Sequence, residues 1–213
     1  MWYQIVAYFK FLVTSTNQHG VHSPFVFHLV TKCFYDRKPK PEYQVLKNYR
    51  NSLLENKKTI EVTDFGAGSK VFKSNSRQIS KIAKTAGITQ KRAELLFRIT
   101  NYFQPESVLE IGTSLGLATS ALASGDPKAK ITTLEGCPET ANQCQLQLQQ
   151  FNVDNVDLIV TEFSTYFHTQ HPTPNTQHLV YFDGNHSKTA TLDYFELLLP
   201  TITNDSVWKV GDI

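Results

Sequence analysis

Residues 107–117 read SVLEIGTSLGL. A short β-prone run meets a glycine-rich turn, and a helical pattern follows at about 115–124, so the stretch spells strand, tight loop and helix N-terminus in succession. Further along, apolar runs recur at 129–134, 156–161, 178–182 and 206–210, with segments of helical spacing at 138–151, 163–169 and 188–199. Strands separated by helices at this interval predict right-handed crossovers and a parallel sheet. The expected fold is therefore α/β: a Rossmann-like, doubly wound, mostly parallel sheet of five strands in the order 3-2-1-4-5. Ligands of such sheets sit beyond the carboxyl ends of the strands, which makes the residues just after each strand the informative ones.

Before residue 105 the chain reads mostly helical. Ser23 can cap a helix with Pro24 at its first position, and PKPE at 39–42 ends that helix and starts another. Two more helical patterns are predicted at about 76–86 and 89–103. The expected division is a helical, partly lid-like extension over 1–104 and a sheet domain over 105–213.

The bulk numbers exclude some functions. Lys+Arg 21 against Asp+Glu 19 gives a net charge of +2 in 213 residues. Without a long block of one sign, no dedicated nucleic-acid binder is expected. Cys33, Cys137 and Cys144 form a sparse, odd set, which predicts reduced thiols and a cytoplasmic location. The apolar N-terminus, MWYQIVAYFKFLV, is too short and interrupted by Lys10 to span a membrane. Its spacing of three to four predicts an amphipathic helix packed by its apolar seam, with a membrane-surface or homodimer contact as the minority reading.

At the strand ends, the first loop supplies Glu110, Gly112, Thr113, Ser114 and Gly116, and the second strand ends in Glu135. Glycines permit a tight turn and a close approach, the helix start offers unpaired N–H groups, and an acid after the second strand can accept both ribose hydroxyls. Together they indicate an adenosine-containing ligand. The spacing E-x-G-x-x-x-G, with a carboxylate at the loop mouth, disfavours a pyrophosphate and suits a ligand carrying an ammonium and a sulfonium. No G-K-[ST] follows, so a P-loop is excluded.

VLEIGTSLGLAT resembles the first motif of class I S-adenosylmethionine-dependent methyltransferases, and ITTLEGCPETA resembles their second, with Glu135 at the ribose position. ITQKRAELLFRITNYFQPESVLEIGTSLG is similar to the approach segment of the small-molecule O-methyltransferase branch that includes the catechol and caffeoyl-CoA enzymes. YFDGNHSK, with Asp183 and His186, resembles that branch's fourth-strand segment. The likeness covers roughly 88–213, and HGVHSPFVF through TDFGAGSK resembles a bacterial subgroup of the same proteins. The resemblance implies S-adenosyl-L-methionine as cofactor, a small hydroxylated methyl acceptor, and Asp183 and His186 as catalytic residues. Asp183 also counts among the cofactor-binding set.

In the branch resembled, the acid matching Asp183 helps to hold a divalent cation such as Mg²⁺, with further ligands in an acidic pair after the fifth strand. Here that place reads KVGDI, with Gly211 in one acid position and only Asp212 retained. The other reading is a non-catalytic adenosine-ligand-binding or interaction protein. The [DN]-P-P-[YF] segment of amino-methylating nucleic-acid enzymes is missing at DGNH. The histidine groups, His19 with His22 and His168 with His171 and His178, lack a third ligand and a fixed frame, and read as structural or surface features. Class I methyltransferases continue past the fifth strand, so a sequence stopping at Ile213 reads as truncated, or as one whose partner chain covers the last strand.

A second glycine pair occurs in IEVTDFGAGSK, 60–70. No second strand and no ribose acid are expected after it, so it reads as a connector rather than a nucleotide loop. Its place ahead of the first core strand makes it a candidate lid over the ligand mouth.

Overall fold

The computed structural model describes residues 2–15, 17–65, 68, 71–169, 178–185 and 187–211. The chain divides into two compact units, residues 1–38 and 39–213.

The first unit is helical. Helix α1 (Trp2–Thr14) buries none of its residues, so the apolar seam read as a packed face is exposed, Trp2 and Tyr3 most of all. Among the described residues no helix is long and apolar enough to cross a membrane. Helix α2 (Pro24–His28) starts as its sequence predicts, Ser23 Oγ accepting the Val26 N–H with Pro24 in the first turn, and it runs on into a π-helical turn over Leu29–Phe34.

The second unit holds the sheet. Strands β3 (Ser107–Ile111), β4 (Lys130–Glu135), β5 (Val156–Val160), β6 (Leu179–Phe182) and β7 (Val207–Val210) are all parallel, in the order β5-β4-β3-β6-β7. This is the expected 3-2-1-4-5 arrangement. Crossovers leave β3 toward β4 on one side and later return to β6 on the other, so the order reverses beside β3.

Period-two alternation sorts the central strands onto two faces. Leu109 and Ile111 of β3, Leu134 of β4, and Val180 and Phe182 of β6 form one buried face with Tyr166 and Phe167 of α8 (Phe163–Thr169) and Tyr194 and Leu198 of α9 (Lys188–Leu198). Glu110 points to the opposite face, toward α6 (Leu117–Gly125), whose Thr119 it meets. Helix α5 (Gln90–Phe103), capped by Thr89, packs against α6, and α7 (Pro138–Gln150) packs on β4 and β5.

Two elements differ from the sequence reading. Residues 76–78 are a strand, β2 (Ser76–Gln78), rather than the start of a helix; α4 (Ile79–Thr85) begins after it. β2 pairs antiparallel with β1 (Thr59–Glu61), so a strand does follow the second glycine pair. Each strand has three residues and Ile60 is the only fully buried side chain in the pair, which leaves no alternation for a sequence pattern to register. The hairpin base is fixed by Ile79 N–H to the Lys58 carbonyl at 2.9 Å and Ser80 N–H to the Asn56 carbonyl at 3.0 Å, at the end of α3 (Pro41–Glu55).

Candidate active site

A cleft of about 510 Å³ opens at the carboxyl ends of the strands, beside the point where strand order reverses. Its size falls within the range of small-molecule and cofactor pockets. Gly112, Ser114, Glu135 and Asp183, all expected site residues, line it together with the neighbouring Gly184 and Asn185.

The loop after β3 is built from left-handed backbone: Gly112, Ser114 and Gly116 have φ of 104°, 50° and 76°. The Gly112 and Thr113 N–H groups both reach the Leu134 carbonyl at 3.1 Å, which binds this loop to the end of β4. The sequence suggested that the glycines leave room for a ligand. A Cβ on Gly112 would instead lie 2.7 Å from Gly184 Cα, and one on Gly116 would lie 2.5 Å from Tyr49 Oη and 2.6 Å from Cys144 Sγ. The missing side chains admit protein: the loop after β6 at Gly112, and α3 and α7 at Gly116. Tyr49, buried on α3, also donates its hydroxyl to the Leu115 carbonyl at 3.0 Å, so a helix remote in sequence braces the loop.

The three acids at the strand ends occupy different depths. Glu135 lines the cleft, and its Oε2 accepts the Ser114 N–H at 2.8 Å while Oε1 accepts the Cys137 N–H at 2.9 Å. Burial raises its pKa, and the backbone N–H groups of Cys137, Ser114 and Gly136 pull it back down. A carboxylate has about four lone-pair sites, so these backbone bonds leave acceptor capacity for a ribose hydroxyl. Asp183 also faces the cleft, held by its own N–H to the Ile111 carbonyl at 2.9 Å and touched by the buried Tyr181 hydroxyl.

Glu110 does not line the cleft. It is fully buried on the central strand between Thr133 and Tyr181, and its Oε2 accepts Thr119 Oγ1–H at 2.5 Å and Thr133 Oγ1–H at 2.6 Å. Burial pushes its pKa up to about 8 against the pull of those two hydroxyls, and the charges of Asp183 and Glu135 add to the rise. The carboxyl expected at the mouth of the loop thus lies beneath it, where burial favours its protonated form. Thr113 is buried as well, its hydroxyl 2.6 Å from that of Thr133, and Gly116 forms the N-cap of α6.

His186, expected as a base, lies outside the described residues, as do Lys70, His171 and Asp212. Among the described residues no group of three or more His, Cys, Asp or Glu could hold a metal. A Cβ on Gly211 would stand 2.8 Å from Asp183 Oδ1, so position 211 adjoins Asp183 but brings no donor to it. The described donors do not make up a Mg²⁺ site.

Thr63, Asp64 and Phe65, which line the cleft, belong to the stretch 60–70 named as a candidate lid. Sequence reasoning missed other lining residues: Arg77 from β2, Arg92 from the start of α5, and Tyr194 from α9. Glu162 and Phe163 follow β5, where the strand-end rule applied to the third core strand would have found them. Phe163 also closes on the loop after β6: a Cβ on Gly184 would lie 2.5 Å from its ring.

These features fit S-adenosylmethionine. Two acids, Glu135 and Asp183, face the cleft, as a ligand with ribose hydroxyls, an ammonium and a sulfonium requires, and left-handed glycine backbone brings the strand-end loops together around it.

Comparisons with known proteins agree. Residues 109–213 match the family model of a methyltransferase domain. Solved structures sharing the fold include the SAH-bound methyltransferase PaMTH1 of Podospora anserina, at 17% identity and a TM-score of 0.60 over 92% of this chain and 72% of that one. The O-methyltransferase TomG of Streptomyces achromogenes, involved in tomaymycin synthesis and solved with SAM, is similar at 17% identity, with a TM-score of 0.57 over 85% of this chain and 69% of that one. An O-methyltransferase of Bacillus cereus in complex with SAH gives 16% identity and 0.57 over 87% and 71%. A search of curated proteins finds no significant match. At such identities the structural likeness carries the fold, while the family match carries the activity class over its own stretch: residues 109–213 match a methyltransferase domain on the fold of S-adenosylmethionine- and S-adenosylhomocysteine-bound methyltransferases.

Proposed function

We propose that the protein methylates a hydroxyl oxygen of a small molecule. The observation that supports this reading best is the placement of Asp183. It sits in the same cleft as the ribose acid Glu135, beside Asn185 and within a wall containing Phe163 and Tyr194. When bound, S-adenosylmethionine supplies an electrophilic methyl group. The protein's tasks are then to align an acceptor and to remove its proton. Asp183 accepts that proton or orients the hydroxyl, with His186 as the second base of the same loop. Asn185 has a left-handed backbone (φ 46°) and directs its Nδ2 toward Tyr194 Oη at 3.5 Å, which sets a polar edge in an otherwise aromatic wall. Phe163 meets Tyr194 edge-on at 6.0 Å, the ring planes 84° apart, giving an apolar corner suited to a small ring or chain. The two O-methyltransferases named above, TomG and the Bacillus cereus enzyme, share the fold, and their chemistry supports the same choice.

The test has two parts. Calorimetry with S-adenosylhomocysteine on the parent and on Glu135→Ala measures the donor half of the site. Loss of one charged hydrogen-bonding partner predicts about a tenfold to hundredfold weaker Kd for the variant. A labelled methyl-transfer screen over phenols and alcohols, with and without Mg²⁺, and repeated on Asp183→Asn, measures the acceptor half. No heat with the parent protein would overturn the donor assignment, and transfer to amines or thiols alone would overturn the oxygen acceptor.

A further inference from the structure

The β1–β2 hairpin belongs to neither matched motif, yet it supplies a wall of the cleft. Its tip residue Phe65 lies directly against Gly136, the residue after Glu135: a Cβ on Gly136 would stand 2.7 Å from Phe65 Cδ2. Any side chain at 136 would push that ring away. About half of Phe65 remains exposed, so the ring faces open cleft rather than a finished core.

The hairpin is also tied to the loop that carries Glu135. Cys137 Sγ accepts the Thr63 N–H at 3.4 Å and donates to the Glu61 carbonyl at 3.6 Å, so one thiol serves two backbone groups, two residues apart, on the same edge of the hairpin. The same residue's N–H is held by Glu135 Oε1 at 2.9 Å. A hydrogen-bonded path therefore runs from the hairpin through Cys137 to the ribose acid. Asp64 and Arg77 pair across the hairpin at 3.3 Å, and the Arg77 guanidinium lies 5.0 Å from the Phe72 ring centroid, which stiffens the tip. Val62 N–H to the Asn75 carbonyl at 2.9 Å extends the ladder toward it.

We propose that this hairpin is a cofactor clasp, in which Phe65 covers the adenosyl group and Cys137 is the positioning residue that holds the clasp in register with Glu135. The proposal rests on the donor assignment made above and deepens it by naming what closes the adenosyl end. A ring laid beside the residue after the ribose acid is placed to stack on a base, as aromatic side chains do where proteins bind single bases. Cys137 touches the protein on both sides and acts on the ligand only through Glu135 and the hairpin.

Calorimetry with S-adenosylhomocysteine and with adenosine, on the parent, Phe65→Ala, Cys137→Ala and Cys137→Ser, tests it. Adenosine carries only the part of the ligand that the clasp covers. Phe65→Ala and Cys137→Ala are expected to weaken both ligands by the same factor, about tenfold, as a lost stacking or hydrogen-bonded contact would. Cys137→Ser keeps a donor and an acceptor and recovers most of the loss, which a purely space-filling cysteine would not show. Unchanged affinities in Phe65→Ala and Cys137→Ala, or a loss for S-adenosylhomocysteine with none for adenosine, overturn the clasp. Should Cys137→Ala not fold, the half-exposed Phe65 alone decides the matter. A parent protein that binds neither ligand overturns the donor assignment itself, a result distinct from parent binding that the variants leave intact.

Discussion

Gly112→Ala is expected to lower the stability of the protein by about 3 kcal/mol or more and to abolish measurable S-adenosylhomocysteine binding. Two costs add at this position. The backbone has φ 104°, a region that L side chains rarely adopt, and the new Cβ would come within 2.7 Å of both Gly184 Cα and Gly184 N and 2.8 Å from the Asp183 carbonyl carbon. Those neighbours are main chain at the end of β6, fixed by the Asp183 N–H bond to Ile111, and cannot rotate aside as a side chain would. Relief requires parting the loops after β3 and β6, which are the two sides of the ligand crevice. For a protein of this size the destabilisation corresponds to a fall in Tm of roughly 6–12 °C. Gly68→Ala is the matched control: φ is 78° but no atom lies within 4 Å of the added Cβ, so only conformational strain of about 1 kcal/mol is expected. Thermal melts of the two variants separate strain from collision. Equal shifts would show that the contact between the two loops does not limit this site.

The parallel sheet was legible because its central strands are buried on both faces and so read as near-continuous apolar runs, VLEI, ITTL and LVYF. Two helix starts were legible in their first residues: Ser23 accepting from Val26 with Pro24 in the first turn of α2, and Pro41 in the first turn of α3. The β1–β2 hairpin was not legible. Its strands are three residues long and stabilised by backbone pairing and by Cys137, a residue far along the chain, so no local period encodes it.

The candidate site shows the same division. Glu135 and Asp183 were found because the last residue of a parallel strand, or the one directly after it, lies at the carboxyl edge. Glu110 lies one residue short of that edge, so the pleat turns it down under α6 instead of out into the cleft. Its surroundings, Thr119 and Thr133, come from two other elements. The glycines were found for their backbone freedom, but their neighbours Gly184, Tyr49 and Cys144 belong to three distant segments. Spacing reveals where a chain turns; what packs against the turn is set by tertiary structure.

Burial of Glu110 should make the protein less stable as pH rises, and Glu110→Gln should remove that dependence. The sign follows from proton uptake. An unfolded glutamate releases its proton near 4.5, whereas in the folded protein this one holds it to about 8. Between those values the folded state binds more protons than the unfolded one, so the slope of unfolding free energy with pH is negative. The favourable contribution is complete below pH 4.5, declines across the window and is gone above pH 8. Its ceiling, at 1.36 kcal/mol for each pH unit of displacement, is on the order of 5 kcal/mol. Gln is the neutral isostere: its carbonyl can still accept from Thr119 and Thr133, and no charge forms under the loop at any pH. Urea unfolding of parent and variant at pH 4.5, 6, 7, 8 and 9 measures the difference. Relative to its value at pH 4.5, the difference should shift in the variant's favour by about 2 kcal/mol at pH 6, where the unfolded glutamate is ionised and the folded one is not, and by up to that ceiling at pH 9. Gln puts an N–H₂ group in place of Oε1, which has no hydrogen-bond partner, and this adds a cost that does not vary with pH, so the change of the difference with pH is the readout. A stability difference that stays constant from pH 6 to 9 would mean that Glu110 is ionised throughout, and its carboxylate would then have to be matched by a cation in the ligand, as the loop sequence first suggested. Equilibrium unfolding in the absence of cofactor therefore distinguishes a neutral support beneath the loop from a charged partner of the ligand.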